Sequence, residues 1–260
     1  MHTYDREHRK AYSQNFVKNP AIIRYILSLV DIPAEYTVVE VGPGRGIITQ
    51  ELVKTHPVLA VEKDPELAKE LQETLPEAEI LTKDILKTSL PKTPYWVVSN
   101  PPFQIFSQLI KHILFAPNEP EGMLIFGQQE AVERIVGKTE TSYTSVILNS
   151  FYLTDIPHTF ARTDFTPVPG VEVVLLRATK IPTKLWQHKS DYERFVHQGF
   201  TAQKANLGKN LSKVFTFEQW KRLAKTFRFA TTIQPADLSI DQWKGIFTYY
   251  RDHVDESKKV

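Results

Sequence analysis

The feature that most constrains the fold is an alternation that begins at residue 37. Short β-branched runs are separated by helical patterns: YTVVEV, GIITQELVKT, PVLAVEK, PELAKELQETL, AEILTKD, YWVVSN, FSQLIKHILF, GMLIFGQ and QEAVERIVG. Strands spaced by helices of this length predict parallel pairing, with helices on both faces of the sheet. Upstream, NPAIIRYILSLVDI predicts a helix opened by Asn19 and Pro20. Downstream, SVILNSFYLTDI and GVEVVLLRAT predict two more strands that complete the sheet as an antiparallel pair. After ATKIPTK only helical periods and turns remain, so the sequence predicts an α/β domain over 1–184 and a small helical domain over 185–260.

The absence of cysteine excludes disulfides, thiolate catalysis and zinc-thiolate sites. The eight histidines never fall at the i, i+4 spacing of a helical metal site, and no metal is expected. No apolar run is long enough to cross a membrane, and MHTYDREHRKAYSQNF lacks the apolar stretch of a secretory signal, so a cytoplasmic protein with no membrane partner is expected. A monomer is expected as well. The net charge of +2 hides an uneven distribution. Residues 200–229 carry Lys204, Lys209, Lys213, Lys221, Arg222, Lys225 and Arg228 against the single acid Glu218, with Phe200, Phe215, Phe217 and Trp220 interleaved. Such a run is either a solvated helical face or an electrostatic footprint for nucleic acid, with Lys204, Lys209 and Lys213 as its candidate contacts.

The chemistry gathers at strand ends. VVEVGPGRGIITQEL places Gly42, Gly44 and Gly46 directly after the first strand, where a side chain at Gly42 or Gly44 would keep a ligand from the backbone. The dinucleotide fingerprint needs its third glycine at the position of Ile47, which makes NAD the weaker choice, and no phosphate-cradling G-x-x-x-x-G-K-[ST] occurs. The second strand ends at Glu62, suited to both hydroxyls of a ribose. The third ends at Asp84, suited to an adenine amino group, with Ile85 offering its N–H and apolar contact. Together these acids outline a nucleoside pocket, and S-adenosyl-L-methionine is the ligand that fits best. Glu40, just inside the loop, holds the loop's geometry or meets the cationic end of that ligand.

The fourth strand ends in SNPPF. Residues before proline are pushed to extended geometry, so Asn100-Pro101-Pro102 predicts a stiff projecting segment. The Asn100 side-chain oxygen and the Pro101 carbonyl are two acceptors that can hold both hydrogens of an exocyclic base amine and turn its lone pair toward a methyl sulfonium. Phe103 would stack on the base, once the base has left its helix or loop.

With these residues in place, the chain resembles the rRNA adenine N6-methyltransferase family, which contains the Erm resistance enzymes and the KsgA-type dimethyltransferases. The resemblance runs from about Ser13 to at least Tyr249 and rests on SQNFV, VVEVGPGRGIIT, VEKD, KDIL, SNPPF, QQEAVERIVG and FARTDFTPVPGVEVVLLR. It implies a Rossmann-like S-adenosylmethionine-dependent methyltransferase sheet and cofactor contacts from Gln14, Asn15, Val17, Gly42, Gly44, Glu62, Lys63, Asp84, Ile85 and Asn100. It also implies amine positioning by Asn100 and Pro101 and base stacking by Phe103. The C-terminal stretches FTAQKANLGKNL, FTFEQWKRL and LSIDQWKGIFTYY look more like the Erm branch. The implied substrate is then an adenine of 23S rRNA near the peptidyl transferase centre. Pro101 departs from the isoleucine or leucine usual in the family. NPPF is common in amino methyltransferases acting on DNA or other targets, so a DNA amino-methyltransferase remains an alternative. Two further alternatives are a small-subunit rRNA dimethyltransferase and a non-catalytic RNA-binding assembly factor.

Overall fold

The computed structural model describes residues 15–202 and 206–259. Gln14 and Lys204, two of the expected contact residues, lie outside them.

Strand β1 (Phe16–Val17) leads into helix α1 (Pro20–Leu27), which opens as the sequence predicts. The Asn19 side-chain oxygen accepts from the Ala21 N–H at 2.9 Å, and Pro20 occupies a first-turn position that needs no N–H. Then come β2 (Thr37–Val41), α2 (Thr49–Leu52), β3 (Val58–Glu62), α3 (Pro65–Thr74) and β4 (Glu79–Thr82). The Asp64 carboxylate caps α3, accepting from the Glu66 and Leu67 N–H groups. Next are β5 (Tyr95–Ser99), α4 (Phe106–Leu114), β6 (Gly122–Gln128), α5 (Gln129–Ile135), α6 (Tyr143–Phe151) and β7 (Tyr152–Phe160). After β8 (Phe165–Thr166) and β9 (Val173–Lys180), the described residues form helices without further strands: α7 (Lys189–Thr201), α8 (Leu207–Asn210), α9 (Phe217–Phe227) and α10 (Ile240–His253).

Seven strands form one sheet in the order β4-β3-β2-β5-β6-β9-β7. The first five are parallel, and β9 runs antiparallel to β6. All five residues of β5 are buried, as a strand covered on both faces requires. Consecutive strands β2, β3 and β4 are laid down in one direction, and β5 starts the other, so a crevice opens at the carboxyl ends of β2 and β5. A separate two-stranded sheet pairs Phe16 with Thr166 and Val17 with Phe165, extended by the Lys18 N–H donating to the Asp164 carbonyl at 2.8 Å.

The sequence expectation fails at SVILNSFYLTDI, where the strand begins only at Tyr152. Its first half is α6, capped by Ser142, which exchanges reciprocal hydrogen bonds with Ser145. Val146, Ile147, Leu148 and Phe151 are all buried. A helix buried on every side writes the same short apolar run as a buried strand, so periodicity alone does not separate them.

The described chain groups into two compact units. One holds the residues up to Val132 with Thr154–Lys180, and the other holds Glu133–Leu153 with the residues from Ile181 onward. The second unit therefore takes in α6, which along the chain stands amid the strands of the sheet. Inside that unit the Ile181 N–H donates to the Phe151 carbonyl at 2.9 Å, Ser150 and Tyr192 hydroxyls share a 2.8 Å hydrogen bond, and Phe151 packs on Trp186.

Candidate active site

At the carboxyl ends of β2 to β5 the N-terminal unit encloses a cavity of about 430 Å³, within the range of small-ligand sites. Gly42, Glu62, Lys63, Asp84 and Ile85 line one side, and Pro102, Gln104 and Gln108 line another. Five of the expected cofactor residues thus meet at one cavity.

Glu62 is 2 % exposed, and backbone donors hold both of its oxygens. The Gly44 N–H donates to one at 3.1 Å and the Asp64 N–H to the other at 2.9 Å. Burial raises its carboxyl above the ordinary range, while these N–H groups pull the other way. Each carboxylate oxygen keeps a second acceptor site, the capacity that two ribose hydroxyls require. Asp84 is the opposite case. Lys63 bonds it at 3.0 Å and holds its carboxyl below the usual carboxylate range, and its other oxygen accepts from the Leu86 N–H.

The glycine loop takes its shape from positive φ. Gly42 at +66° and Gly44 at +58° lie where side chains are strained. A Cβ at Gly42 would meet nothing within 4 Å, so the space over its Cα is open, whereas one at Gly44 would collide with the Phe16 ring. Phe16 is thereby laid against the loop, with the Arg45 guanidinium 5.8 Å from its centroid.

Asn100 closes the strand end. Its side-chain N–H donates to the Asn15 carbonyl at 2.7 Å, which fixes the amide's orientation and leaves the side-chain oxygen as an acceptor. Pro101 is buried, and among the described residues its carbonyl accepts no hydrogen bond. Phe103 is half-buried in a short turn, packed against the core. Val17 is buried in that core as well, through its pairing in β1.

Sequence reasoning missed several parts of this arrangement. It gave no bottom-up reason for SQNF, yet Asn15 supplies the carbonyl that orients Asn100, and Phe16 seats the glycine loop. It passed over Ser99, whose hydroxyl donates to the Val41 carbonyl at 2.8 Å and ties the ends of β5 and β2 together. It also passed over Thr49, whose hydroxyl donates to Glu40 at 2.6 Å. Glu40 is 1 % exposed, and burial pushes its carboxyl up to about 8, against the Thr49 hydrogen bond, with the Glu62 carboxylate adding to the rise. Its other oxygen has no hydrogen-bond partner among the described residues. No sequence signal marks these contacts, because each joins residues from different elements or adjacent turns.

In the second unit Lys209 and Lys213 are exposed. Among the described residues no cluster of His, Asp or Glu could hold a metal ion, and no helix is long and apolar enough to cross a membrane.

The site fits S-adenosylmethionine on its own features: a backbone cradle at Gly42 that a Cβ would fill, a carboxylate held by N–H groups, and a second acid with an adjacent N–H at Ile85. Similarity to known proteins points the same way. The small-subunit rRNA methyltransferase A of Acaryochloris marina is 28% identical over 253 residues, covering 90% of this chain and 94% of that protein. That of Dehalococcoides mccartyi strain BAV1 is 29% identical over 266 residues, covering 96% and 91%. Among solved structures, the 23S rRNA methyltransferase ErmE superposes with a TM-score of 0.80 at 25% identity, covering 92% of this chain and all of that one. A Plasmodium falciparum dimethyladenosine transferase shares the fold, with a TM-score of 0.67 at 19% identity over 94% of this chain and 92% of its own. The family model for ribosomal RNA adenine dimethylase matches residues 5–252, and the chain belongs to that family of S-adenosylmethionine-dependent rRNA adenine methyltransferases.

Proposed function

We propose that this protein transfers methyl from S-adenosylmethionine to N6 of an adenine in 23S rRNA near the peptidyl transferase centre, with macrolide, lincosamide and streptogramin B resistance as the resulting phenotype. The observation that carries the chemistry is the orientation of Asn100. With its N–H committed to the Asn15 carbonyl, its oxygen and the Pro101 carbonyl form a pair of neutral acceptors at the end of β5. Two such acceptors take the two hydrogens of an exocyclic amine and direct its lone pair without a strong base, so catalysis rests on positioning and electrostatics. The cofactor supplies an electrophilic methyl on its sulfonium. Glu62 takes its ribose hydroxyls, while Asp84 and the Ile85 N–H take its adenine. Gly42, Gly44 and Lys63 shape the cradle, Asn15 and Val17 add further cofactor contacts, and Phe103 stacks on the target base.

Assignment to the large subunit is supported by the 0.80 TM-score likeness to ErmE over the whole of that chain. A second reading, dimethylation of small-subunit rRNA, draws support from the sequence relatives, which carry the small-subunit name at 28% and 29% identity. Purified protein incubated with methyl-labelled cofactor and, separately, naked 23S rRNA, naked 16S rRNA and small-subunit particles distinguishes the two. Label on 23S rRNA, mapped to N6 of one adenine, is the expected result. Label confined to 16S rRNA or small-subunit particles would overturn the large-subunit assignment while leaving the chemistry intact.

A further inference from the structure

We infer that the outer face of α9 is an RNA-binding platform on which Phe217 stacks an unpaired base of the substrate RNA while Lys225 and Arg228 hold the adjoining phosphates. The inference rests on the reading of this protein as an rRNA methyltransferase.

Of Phe200, Phe215, Phe217 and Trp220, the aromatics singled out from the basic run, three are used in packing. Phe200 stacks on Trp243, Phe215 stacks on Trp220, and the Trp220 indole N–H donates to the Thr231 carbonyl at 2.9 Å. Phe217 is the exception. It is 67% exposed, and its ring contributes nothing to the core. An exposed phenylalanine with a cation over its face is an uncommon use of an apolar side chain, and Lys221 lies 4.6 Å from its centroid.

The spacing extends this pair into a stripe. Phe217, Lys221 and Lys225 follow one another at steps of four residues, which keeps them on one side of the helix over roughly 12 Å, and Arg228 follows at its C-terminal cap. All four are exposed, while Trp220, Leu223 and Ala224 fill the buried side. Glu218 is the sole acid between residues 200 and 229, and it reaches only Lys221, at a long 3.8 Å. A stripe of this charge, with one flat ring, matches a polyanion that presents unstacked bases. Single-stranded RNA has that chemistry.

Two features hold the platform still. The helix begins with a reciprocal cap between Thr216 and Gln219, and Gln242 of α10 donates to the Phe227 carbonyl at 2.9 Å. It ends at Arg228, the one non-glycine residue with positive φ among the described residues. Glycine is the residue that ends a helix in this conformation without strain. An arginine there keeps a cation at the end of the stripe at the expense of the fold, a pattern typical of residues retained for binding.

The test uses the full chain with in-vitro-transcribed 23S and 16S rRNA as separate probes, titrated at several salt concentrations, with melting temperature and S-adenosylhomocysteine affinity as controls. Phe217→Leu should weaken RNA binding about tenfold, whereas Phe217→Tyr should bind as the native protein does, because stacking needs a ring and not merely an apolar group. Arg228→Gly should leave the melting temperature unchanged or higher while lowering RNA affinity and reducing the slope of log affinity against log salt by about one. Cofactor-product affinity should not move in any of the three. RNA affinities and salt slopes equal to the native protein's in both Phe217→Leu and Arg228→Gly would overturn the inference without touching the functional reading. A native protein that neither binds nor methylates either RNA would overturn the reading, and the inference with it.

Discussion

The two units treat their charged side chains in opposite ways. Every carboxylate buried among the described residues, namely Glu40, Glu51, Glu62 and Asp64, lies in the N-terminal unit. Two of them accept backbone N–H groups, Glu62 at the cavity and Asp64 at the start of α3, and Glu40 is bonded by Thr49. Both units bury rings: Phe126, Phe160 and Phe165 pack together in the N-terminal one, and Tyr192, Phe195, Phe215, Trp243, Phe247 and Tyr250 form one contiguous cluster in the C-terminal one, which buries no carboxylate residue beside them. Apart from the partly buried Lys189–Glu193 pair, most of its charged side chains face solvent. The difference separates two kinds of work. Fixed, desolvated polar groups can orient a reacting atom. Solvated charges on an aromatic-cored helical unit attract a polyanion over distance and release it as salt rises.

The largest expected effect comes from the first kind. Asn100→Ala removes one of the two acceptors for the target amine and leaves the Asn15 carbonyl without its donor. Single-turnover methylation should fall by about 10³-fold, the scale for losing one preorganised group at a reacting centre. S-adenosylhomocysteine affinity should change far less, and rRNA affinity hardly at all. An equal fall in cofactor-product affinity would make Asn100 a cofactor ligand first and would blur the contrast between the units.

The same contrast governs what could be read from the sequence. The parallel sheet and the placement of Gly42, Glu62, Asp84 and Asn100 at successive strand ends were legible because each depends on local pattern: a β-branched run, then a turn, then a helix. The packing partners were not. Nothing in SQNF announces that the Asn15 carbonyl will lie 2.7 Å from a side chain 85 positions away. Nothing in SVILNSF says whether its apolar side chains alternate across a sheet or surround a helix. Tertiary burial decided for the helix, helped by the Ser142 cap, which is itself visible only once the helix is known to start there. The basic run was legible as charge, but only the fold separates the aromatics that pack, such as Phe200, Phe215 and Trp220, from Phe217, which faces solvent.

A second effect tests how strictly the N-terminal unit enforces burial of polar groups. With its folded value near 8 and an ordinary value of 4.5, the Glu40 carboxyl binds its proton more tightly in the folded state than in the unfolded chain. Between those two values the folded state holds more protons, so this contribution to stability is complete below about pH 4.5 and is lost as pH rises to about 8. From about pH 6 to pH 9 the loss spans about two pH units, or about 3 kcal/mol. Glu40→Gln keeps an acceptor for the Thr49 hydroxyl and cannot ionise, so denaturant unfolding of that variant should show about 3 kcal/mol less decline over this interval. Parallel curves for the two proteins would mean that Glu40 is already ionised in the fold.

The smallest effect belongs to the C-terminal unit and is the one that only salt reveals. Lys209 and Lys213 are exposed. Replacing both with alanine should therefore leave the melting temperature and the cofactor-product affinity where they were. Each lysine that neutralises a phosphate contributes about 0.7 to 0.9 to the slope of log affinity against log salt, so the double variant should flatten that slope by up to about 1.8. The affinity deficit should be largest at low salt and should shrink as the electrostatic share of binding is screened away. Methylation at saturating RNA should match that of the native protein, because neither lysine lies among the cavity-lining residues. An unchanged slope would leave these two lysines as a solvated face, and the grip on RNA would then rest on the other cations of the basic run.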